Sequence, residues 1–485
     1  MYFFIINFKR IIVIILLILL IFYKIFFEKK YKIKDKYNEG KKKSEFNSIK
    51  DIIIKIENGN KDDINKIINF IQEKSQVEDF DKLRIKEELH TYLLNSFFDI
   101  NLKKNDIEAY KKLLVKNSVF LINNNLSILD YKIKILTTLH LNLYSWIYNF
   151  KYKTLGDIIN TSRGKGIVIC ASNDYFHLVK SNIEIFRNVF NSNLPIEIFY
   201  NKDLSYNNQL TLMKYKNVYV SDISKYFNNT IIGINRYSIK PFAILASRFE
   251  EVILLDADCF YLNDPSILFN DKGYKDKGSL LFKDKTMNPS NDTYNWLKSF
   301  IRNPLPETKV SRIWNNKSKF EIESSTVVIH KIKTLFGLLN ICKLNEKEIR
   351  SKVVYKFVYG DKETFWIGFE MSRQNYYVNQ EYTAAIGEIT LDKNEKGKLI
   401  KKICGNYGNI GHTWNGSLLY WNGHLTKTRN RNKKGIYNGY FIVKDGINRW
   451  NETTWEKRCY ILEDNQEPNL FNEMEKEIIA KVKYD

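Results

Sequence analysis

Apolar residues recur along this 485-residue chain with three different spacings, and each spacing predicts a different kind of element. From Ile52 to about Phe150 the spacing is helical. Within that stretch, isoleucines fall at i, i+3, i+4 and i+7 from Ile64 to Ile71, and Asn60 stands where it can cap the helix. This part of the chain therefore predicts a run of helices.

A second spacing begins near residue 160, where short apolar runs alternate with helical stretches. Buried strands are predicted in four of these runs: Ile167 to Cys170, "LPIEIFYN", "VYVSDI" and Val252 to Leu255. Strands that alternate with helices are typical of an α/β fold with a Rossmann-like mixed sheet flanked by helices.

The third spacing is the uninterrupted apolar run from Ile11 to Tyr23, which continues past Lys24 to Phe27. With Lys24 extended toward a headgroup, the run is long enough to span a bilayer. No small-residue cleavage site follows, so the pattern favours an uncleaved signal anchor. Five lysines between Lys29 and Lys36 would by the positive-inside rule alone keep the rest of the chain in the cytosol.

Composition changes this picture little. The net charge is +21, but the lysines are spread along nearly the whole chain, which favours a compositional bias over a nucleic-acid-binding surface. Five cysteines without a CxxC pair imply neither a zinc site nor a full disulfide framework. Seven Asn-x-Ser/Thr sequons are weak support for a luminal chain, and they begin at Asn125, Asn160, Asn228, Asn291, Asn316, Asn415 and Asn451.

The candidate chemistry lies in "EEVILLDADCFYLNDP", where Asp256 and Asp258 follow a predicted buried strand. Carboxylates at i and i+2 of an extended chain share one face, and the carboxyl ends of strands are where open α/β sheets bind ligands. Such a pair can hold a hard cation that neutralises a leaving diphosphate, as in transfer from a nucleotide sugar. Asp79 and Asp81 repeat the spacing without a strand before them, which indicates a helix start or a loop.

The segment "YSIKPFAILASRFEEVILLDADCFYLNDPSILF" resembles the signature of the fungal Golgi α-mannosyltransferases of glycosyltransferase family 71, the α-1,3-mannosyltransferases and their α-1,2 relatives. The resemblance continues in "RGKGIVICASNDYF", "ESSTVVIHK" and "YGDKETFWIGFE", and more loosely in "GHTWNGSLLYWNGH". It covers roughly residues 160 to 430.

The resemblance implies a GT-A fold, GDP-mannose as donor, a mannosylated glycan or glycoprotein as acceptor, Mn²⁺ or alternatively Mg²⁺ as cofactor, and retention of the α configuration. It also implies a single-pass type II Golgi protein with a luminal catalytic domain. We prefer this orientation to the cytosolic one that the lysine count predicts. We therefore expect these regions: a cytosolic tail at 1–10, a transmembrane anchor at 11–27, a lysine-rich tether at 28–47, a helical stem at 48–158, the GT-A domain at 159–440 and a C-terminal extension at 441–485.

Several donor-binding residues follow from these motifs. Asp256, Ala257 and Asp258 would hold the metal and ribose side of the donor, and Lys240 would reach the diphosphate, unless it is a solvated helix lysine. Glu323 and Ser324 belong to the same resemblance, in which Ser325 replaces the family's usual glycine. The nucleotide base and ribose are expected on the loop after the first strand, formed by Ala171, Ser172, Asn173 and Asp174.

The motif "GDKETF" supplies Asp361 and Glu363 as candidate catalytic residues. Retention of configuration requires either a carboxylate nucleophile or attack by the acceptor on the face that the phosphate leaves. The alternative for Asp361 is a capping role at the start of the following helix. A late histidine often completes the metal site in GT-A folds, and we expect His412, with His424 as the alternative. The neighbouring aromatic residues, and Trp366, are interpreted as packing residues.

Two other functions remain open from the sequence. One is a GT-A transferase that uses a UDP-sugar, because Asp-x-Asp and a late histidine occur across that fold. The other is an inactive membrane-tethered glycan-binding protein, which the replacement at Ser325 would favour and the intact "DAD" and "GDKE" would not.

Overall fold

The computed structural model describes residues 46, 48–73, 79–97, 128–148, 150–393, 399–405, 410–427, 430–434, 436–443, 450–452 and 458–482. The predicted anchor at 11–27 lies outside these residues. Among the described helices, none combines the length and apolar character needed to cross a membrane. The chain divides into two compact units, 1–58 and 59–485.

The described helices, in chain order, are α1 (Ile49–Glu57), α2 (Lys61–Gln72), α3 (Phe80–Phe97), α4 (Ile128–Tyr144), α5 (Leu155–Thr161), α6 (Phe176–Glu184), α7 (Tyr206–Met213), α8 (Asn229–Ile232), α9 (Ile239–Ala246), α10 (Lys272–Lys277), α11 (Asn291–Phe300), α12 (Pro306–Val310), α13 (Leu335–Leu344), α14 (Lys347–Ile349), α15 (Tyr355–Phe357), α16 (Thr364–Met371) and α17 (Glu473–Ala480). The described strands are β1 (Lys165–Cys170), β2 (Ile196–Tyr200), β3 (Val218–Asp222), β4 (Glu251–Asp256), β5 (Cys259–Tyr261), β6 (Ser279–Lys283), β7 (Ile322–His330), β8 (Thr383–Lys393), β9 (Leu399–Gly405), β10 (Ile410–Trp414), β11 (Ser417–Asn422), β12 (Thr426–Lys427), β13 (Asn430–Lys434), β14 (Gly439–Ile442), β15 (Trp450–Glu452), β16 (Arg458–Ile461) and β17 (Asn469–Leu470).

The helical prediction near the N-terminus holds where the structure describes it. Asn60 caps α2, and its side chain accepts hydrogen bonds from the N–H groups of Asp62 and Asp63. Asp79 accepts a hydrogen bond from Lys82 N at 3.1 Å, so the second Asp-x-Asp starts α3, as predicted. Helices α2 to α4 belong to the same compact unit as the sheets. Phe80, for example, packs edge-on against Trp296 of α11 with ring centroids 5.4 Å apart.

The first sheet of the described residues has the order β3-β2-β1-β4-β7-β6. Strands β1 to β4 are parallel, as the alternating pattern predicted. Strand β7 runs antiparallel to both of its neighbours, β4 and β6, which makes the sheet mixed. Alternate residues of β1 face opposite layers, and Ile167 and Ile169 pack with Val179 of α6 in a fully buried core. Helix α9 covers the other face, against β1 and β4.

A second, antiparallel sheet runs in the order β15-β16-β9-β8-β10-β11-β5, with β14 and β17 attached to β8. The two sheets meet at residues 257 and 258, because β4 of the first sheet continues almost directly into β5 of the second. Tyr420 and Trp421 are fully buried in the core between them, which confirms their reading as packing residues. Cys404 of β9 forms a disulfide with Cys459 of β16.

Candidate functional site

The candidate site forms at the carboxyl ends of β1 and β4, where Cys170 and Asp256 are register partners. Asp256 is the last residue of β4, and Asp258 lies in the turn that leads to β5. This turn is fixed by the two residues that follow β11, since the N–H groups of Gly423 and His424 donate to Asp258 O at 2.9 and 2.6 Å. Both aspartates are half-buried, so one side of the pair remains open to a ligand.

Lys240 lies beneath this pair and is buried, so the alternative of a solvated helix lysine is wrong. Helix α9 packs on β4 and directs the Lys240 ammonium to Asp256, with Nζ 2.7 and 2.8 Å from its two oxygens. The same ammonium donates to Ser324 O and Oγ at 3.2 Å each. Burial alone would lower the pKa of Lys240, but Asp256, Asp361 and Glu323 raise it well above its usual value. Lys240 is therefore a fixed positive charge.

Asp361 is brought to the same ammonium from a distant part of the sequence. Its Oδ2 accepts no hydrogen bond and lies 3.8 Å from Lys240 Nζ, and the side chain is buried. Burial raises the pKa of Asp361, whereas Lys240 and the Ser324 hydroxyl draw it down. The following helix begins at Thr364 with Glu363 at its N-cap and no capping bond from a side chain. The helix-capping alternative for Asp361 is therefore wrong.

Glu363, the second candidate in "GDKETF", has a different environment. It is fully buried, and its two oxygens accept hydrogen bonds from Glu321 N at 2.9 Å and from Trp366 Nε1 at 2.5 Å. Burial raises the pKa of Glu363 to about 8 despite these donors. Because protein groups occupy both oxygens, this placement argues against a catalytic role for Glu363 and makes it a structural link between α16 and the segment before β7. Trp366 is a packing residue, as predicted.

The loop from Ala171 to Asp174 follows β1, as expected for the nucleotide side of the site. Asn173 and Asp174 are exposed, and Ser172 is half-buried. Asn173 Oδ1 accepts hydrogen bonds from Ser205 N at 2.8 Å and Asn208 Nδ2 at 2.9 Å, which ties this loop to the start of α7. The loop therefore presents its exposed side chains next to the Asp256 end of β4.

Glu323 and Ser324 reach the site from β7, the antiparallel neighbour of β4. Burial would raise the pKa of Glu323, but the charges of Lys362 and Lys240 lower it to about 2. Ser325 is fully buried in the strand, and its φ is not in the left-handed region that would demand glycine. The backbone at this position therefore accepts a serine without strain.

Two charged residues of this cluster, Lys362 and Asp284, were not predicted from the sequence. Lys362 donates to Asp284 Oδ2 at 2.8 Å and lies 3.6 Å from Glu323 Oε1. Asp284 directly follows the buried strand β6, so the signal that identified Asp256, an aspartate after an apolar run, was also present there. Carboxylates outnumber lysines in this cluster, where Lys240 and Lys362 face Asp256, Asp258, Asp284, Glu323 and Asp361.

The model of a family described as "Mannosyltransferase putative" matches residues 164–412, slightly more than half of the chain. The chain belongs to this family. The matched range contains Lys240, both site aspartates, Asp361 and His412, and it confirms the mannosyltransferase resemblance of the sequence motifs.

Two relatives of this chain are proteins of the yeasts Candida albicans and Saccharomyces cerevisiae. The chain is 27% identical over 344 residues to "Putative alpha-1,3-mannosyltransferase MNN15" of Candida albicans, covering 58% of this chain and 43% of that protein. It is 27% identical over 305 residues to alpha-1,3-mannosyltransferase MNT2 of Saccharomyces cerevisiae, covering 55% and 53%. The chain thus spans about half the length of the relatives it matches.

A solved structure with some similarity is the mannosyltransferase Ktr4p from S. cerevisiae in complex with GDP. It is 11% identical, with a TM-score of 0.31, and the match covers 61% of this chain and 86% of Ktr4p.

The chemistry of the two site aspartates suits a divalent cation. Although Lys240 contacts both Asp256 oxygens, a carboxylate has further lone pairs on its open side, so Asp256 and Asp258 still offer the oxygen ligands that Mn²⁺ and Mg²⁺ prefer. Burial raises the pKa of Asp256 to about 7, with Lys240 opposing and the charges of Asp258 and Glu323 adding to the rise. A pair of carboxylates that repel each other gains from a cation between them, so the pair fits such an ion.

The two histidines predicted as a further metal ligand, His412 and His424, are both buried among aromatic rings. His412 is buried, stacks on Tyr420 with centroids 4.7 Å apart, and is subject to the charges of Glu323, Asp284 and Lys362. The ring of His424 lies edge-on to that of Phe260. Within the described ranges, no group of three or more His, Cys, Asp or Glu side chains is arranged to hold a metal ion. Either histidine as a ligand therefore stays a prediction.

Proposed function

We propose that this chain is a metal-dependent, retaining GT-A α-mannosyltransferase that moves mannose from GDP-mannose to a mannosyl glycan acceptor, with α-1,3 as the expected linkage. The observation that carries the proposal is the Lys240 ammonium held between Asp256 and Asp361 at the end of β4, in a chain of a mannosyltransferase family.

The excess of carboxylates in the cluster supports the metal requirement, because a cation would offset it. Asp256 and Asp258 would hold Mn²⁺ or Mg²⁺, which would neutralise the charge that develops on the leaving diphosphate. Lys240 adds a second positive charge whose position is fixed by Asp256 and Ser324. A preorganised charge of this kind costs no reorganisation during the reaction.

Asp361 is the candidate for the carboxylate that acts at the anomeric carbon of the donor sugar. Its Oδ2 is not engaged by a hydrogen-bond donor, unlike both oxygens of Glu363. A negative charge there would stabilise positive charge at the anomeric carbon, either as a nucleophile or beside same-face attack by the acceptor. Lys240, 3.8 Å away, lowers the pKa of Asp361 and so opposes the rise that burial causes.

The proposal is tested by a donor panel on the purified full chain in detergent. GDP-mannose should support transfer to methyl α-mannoside, and UDP-glucose, UDP-galactose and UDP-GlcNAc should not. Linkage analysis of the product should give an α-1,3 bond. Transfer from a UDP-sugar alone would identify the alternative GT-A enzyme, and binding of the mannoside without turnover from any donor would identify an inactive glycan-binding protein.

We also propose a luminal Golgi location for the folded region, with a single-pass type II anchor at 11–27. The Cys404–Cys459 disulfide supports an oxidising compartment, because such bonds are rare in the cytosol. Two sequon asparagines, Asn291 and Asn415, are exposed, and Asn415 lies in the turn between β10 and β11.

Expression in yeast should therefore yield a protein whose gel mobility shifts on treatment with an N-glycosidase. Ser417→Ala removes the Asn415 sequon without touching the turn residues and should reduce the shift. A wild-type chain that shows no shift, and that added protease digests in intact vesicles, would mean a cytosolic orientation.

A further inference from the structure

A pocket of about 290 Å³ opens beside the cluster described above, close to the lower limit for ligand sites. It lies between the loop that precedes α9 and the segment that joins α15 to α16. Its lining combines aromatic, amide and guanidinium groups without a carboxylate: Asn235, Arg236, Tyr237, Arg350, Tyr355, Val358, Tyr359 and Gly360.

Two tyrosines form the rim of this pocket. Tyr237 is 43% exposed and Tyr359 is 56% exposed, although large aromatic side chains usually bury more of their surface. Their ring centroids are 6.0 Å apart at an interplanar angle of 47°, and their hydroxyl oxygens are 3.5 Å apart. The rim therefore offers two aromatic faces with polar groups at their edges.

The wall and floor of the pocket are held in place. Tyr355 OH donates to Asn345 Oδ1 at 2.7 Å, and the Arg350 guanidinium donates to Ile232 O and Asn345 O at 2.7 Å each. Gly360 has a φ of +62°, and a Cβ at this position would lie 3.1 Å from Tyr237 Cδ2. A glycine is thus required both by the backbone and by the close approach of the rim.

The pocket and the reaction centre share two chain segments. Gly360 immediately precedes Asp361, and Tyr237 lies three residues before Lys240. The phenol of Tyr355 also interacts with the charge of Asp361. Burial raises the pKa of Tyr355, and the negative charge of Asp361 adds to the rise. A molecule in the pocket would therefore lie next to Asp361, while the expected nucleotide loop lies at the end of β1.

We infer that this pocket binds the acceptor, as a neutral mannosyl residue whose faces pack on Tyr237 and Tyr359, an inference that rests on the proposed function. Aromatic faces with polar edges suit a sugar ring, which has apolar C–H faces and a periphery of hydroxyls. The Arg350 guanidinium donates to main-chain carbonyls, so the polar groups left to a ligand are the tyrosine hydroxyls, the Asn235 amide and the Arg236 guanidinium. All of these can hydrogen-bond to sugar hydroxyls, and the two aromatic faces favour a sugar ring over a diphosphate.

The inference is tested with Tyr359→Ala in the full chain, and Tyr92→Ala, an exposed tyrosine on α3, is the matched control. Saturation-transfer NMR measures the binding of methyl α-mannoside in the absence of donor. Loss of one stacking ring should weaken binding about tenfold in Tyr359→Ala. Tyr92→Ala should bind as the wild type does, and both variants should keep the wild-type melting temperature.

Kinetics with GDP-mannose separates the two substrates. Tyr359→Ala should raise the KM for the mannoside about tenfold and leave the KM for GDP-mannose unchanged. A rise in the KM for GDP-mannose instead, or unchanged mannoside binding in the variant, would overturn the inference. If the wild type proves inactive with every donor, the proposed function fails, and the NMR comparison still decides whether the pocket binds a mannoside.

Discussion

Asp258→Asn is expected to lower mannosyl transfer by on the order of 10³-fold or more, because the amide keeps the size of the side chain but removes the charge needed to hold a cation. The fold should survive, since the structural contacts that fix this turn go to the main-chain oxygen of Asp258. Transfer by the wild type should stop in EDTA and return with Mn²⁺, whereas the variant should stay inactive at any Mn²⁺ concentration. Initial rates and thermal unfolding on the same preparations measure both effects.

The chain provides its own control in the second Asp-x-Asp. Asp79→Asn makes the same chemical change at a residue that caps α3, and asparagine caps a helix about as well as aspartate. It should leave both transfer and the melting temperature unchanged. An Asp258→Asn variant that turned over at the wild-type rate in EDTA would end the metal-assisted interpretation.

Asp361→Asn is expected to reduce kcat by on the order of 10² with little change in the KM for GDP-mannose, because the carboxylate would act in the transition state rather than in donor binding. The melting temperature should change little, since the side chain does not cap α16 and asparagine fills the same volume. Steady-state kinetics at saturating acceptor, together with a thermal melt, measures the two quantities separately.

Glu363→Gln is the matched control, since it makes the same acid-to-amide change at another buried carboxyl group of the same motif. Glutamine can accept at one oxygen alone, so either Glu321 N or Trp366 Nε1 loses its partner. This variant should therefore lose about 1–3 kcal/mol of stability and keep most of its kcat. An active Asp361→Asn combined with an unstable Asp361→Ala would remove Asp361 from the catalytic residues.

Strands β1 to β4 could be predicted from the sequence because a strand that is buried on both faces is a continuous run of apolar residues. Four apolar runs predicted β1 to β4, and the position of Asp256 at the end of β4 follows from the run that precedes it. The second sheet gave no comparable signal. Its long strands carry mixed residues, such as the partly exposed β9, and its pairing depends on contacts between distant segments.

For the candidate site, too, the sequence identified individual residues but not how they come together in space. The pattern identified Lys240 and Asp361 as candidates, but their separation of 121 residues gives no indication that they share an ion pair. Burial of Lys240 depends on α9 packing against β4, and the tyrosine pocket depends on the loop before α9 meeting the segment after α15. No local pattern contains either fact.

What the sequence determined by itself is the order of the first four strands and the helices between them, the acidic pair at a strand end and the family. Each of these is encoded by neighbours along the chain, through residue periodicity or through a run of characteristic motifs. The tertiary structure alone decided which carboxylates are available. Asp361 and Glu363 are two residues apart and chemically alike, yet one faces Lys240 and the other is bound by Glu321 N and Trp366. That difference arises because hydrogen bonding and charge act across space, between segments that the sequence keeps far apart.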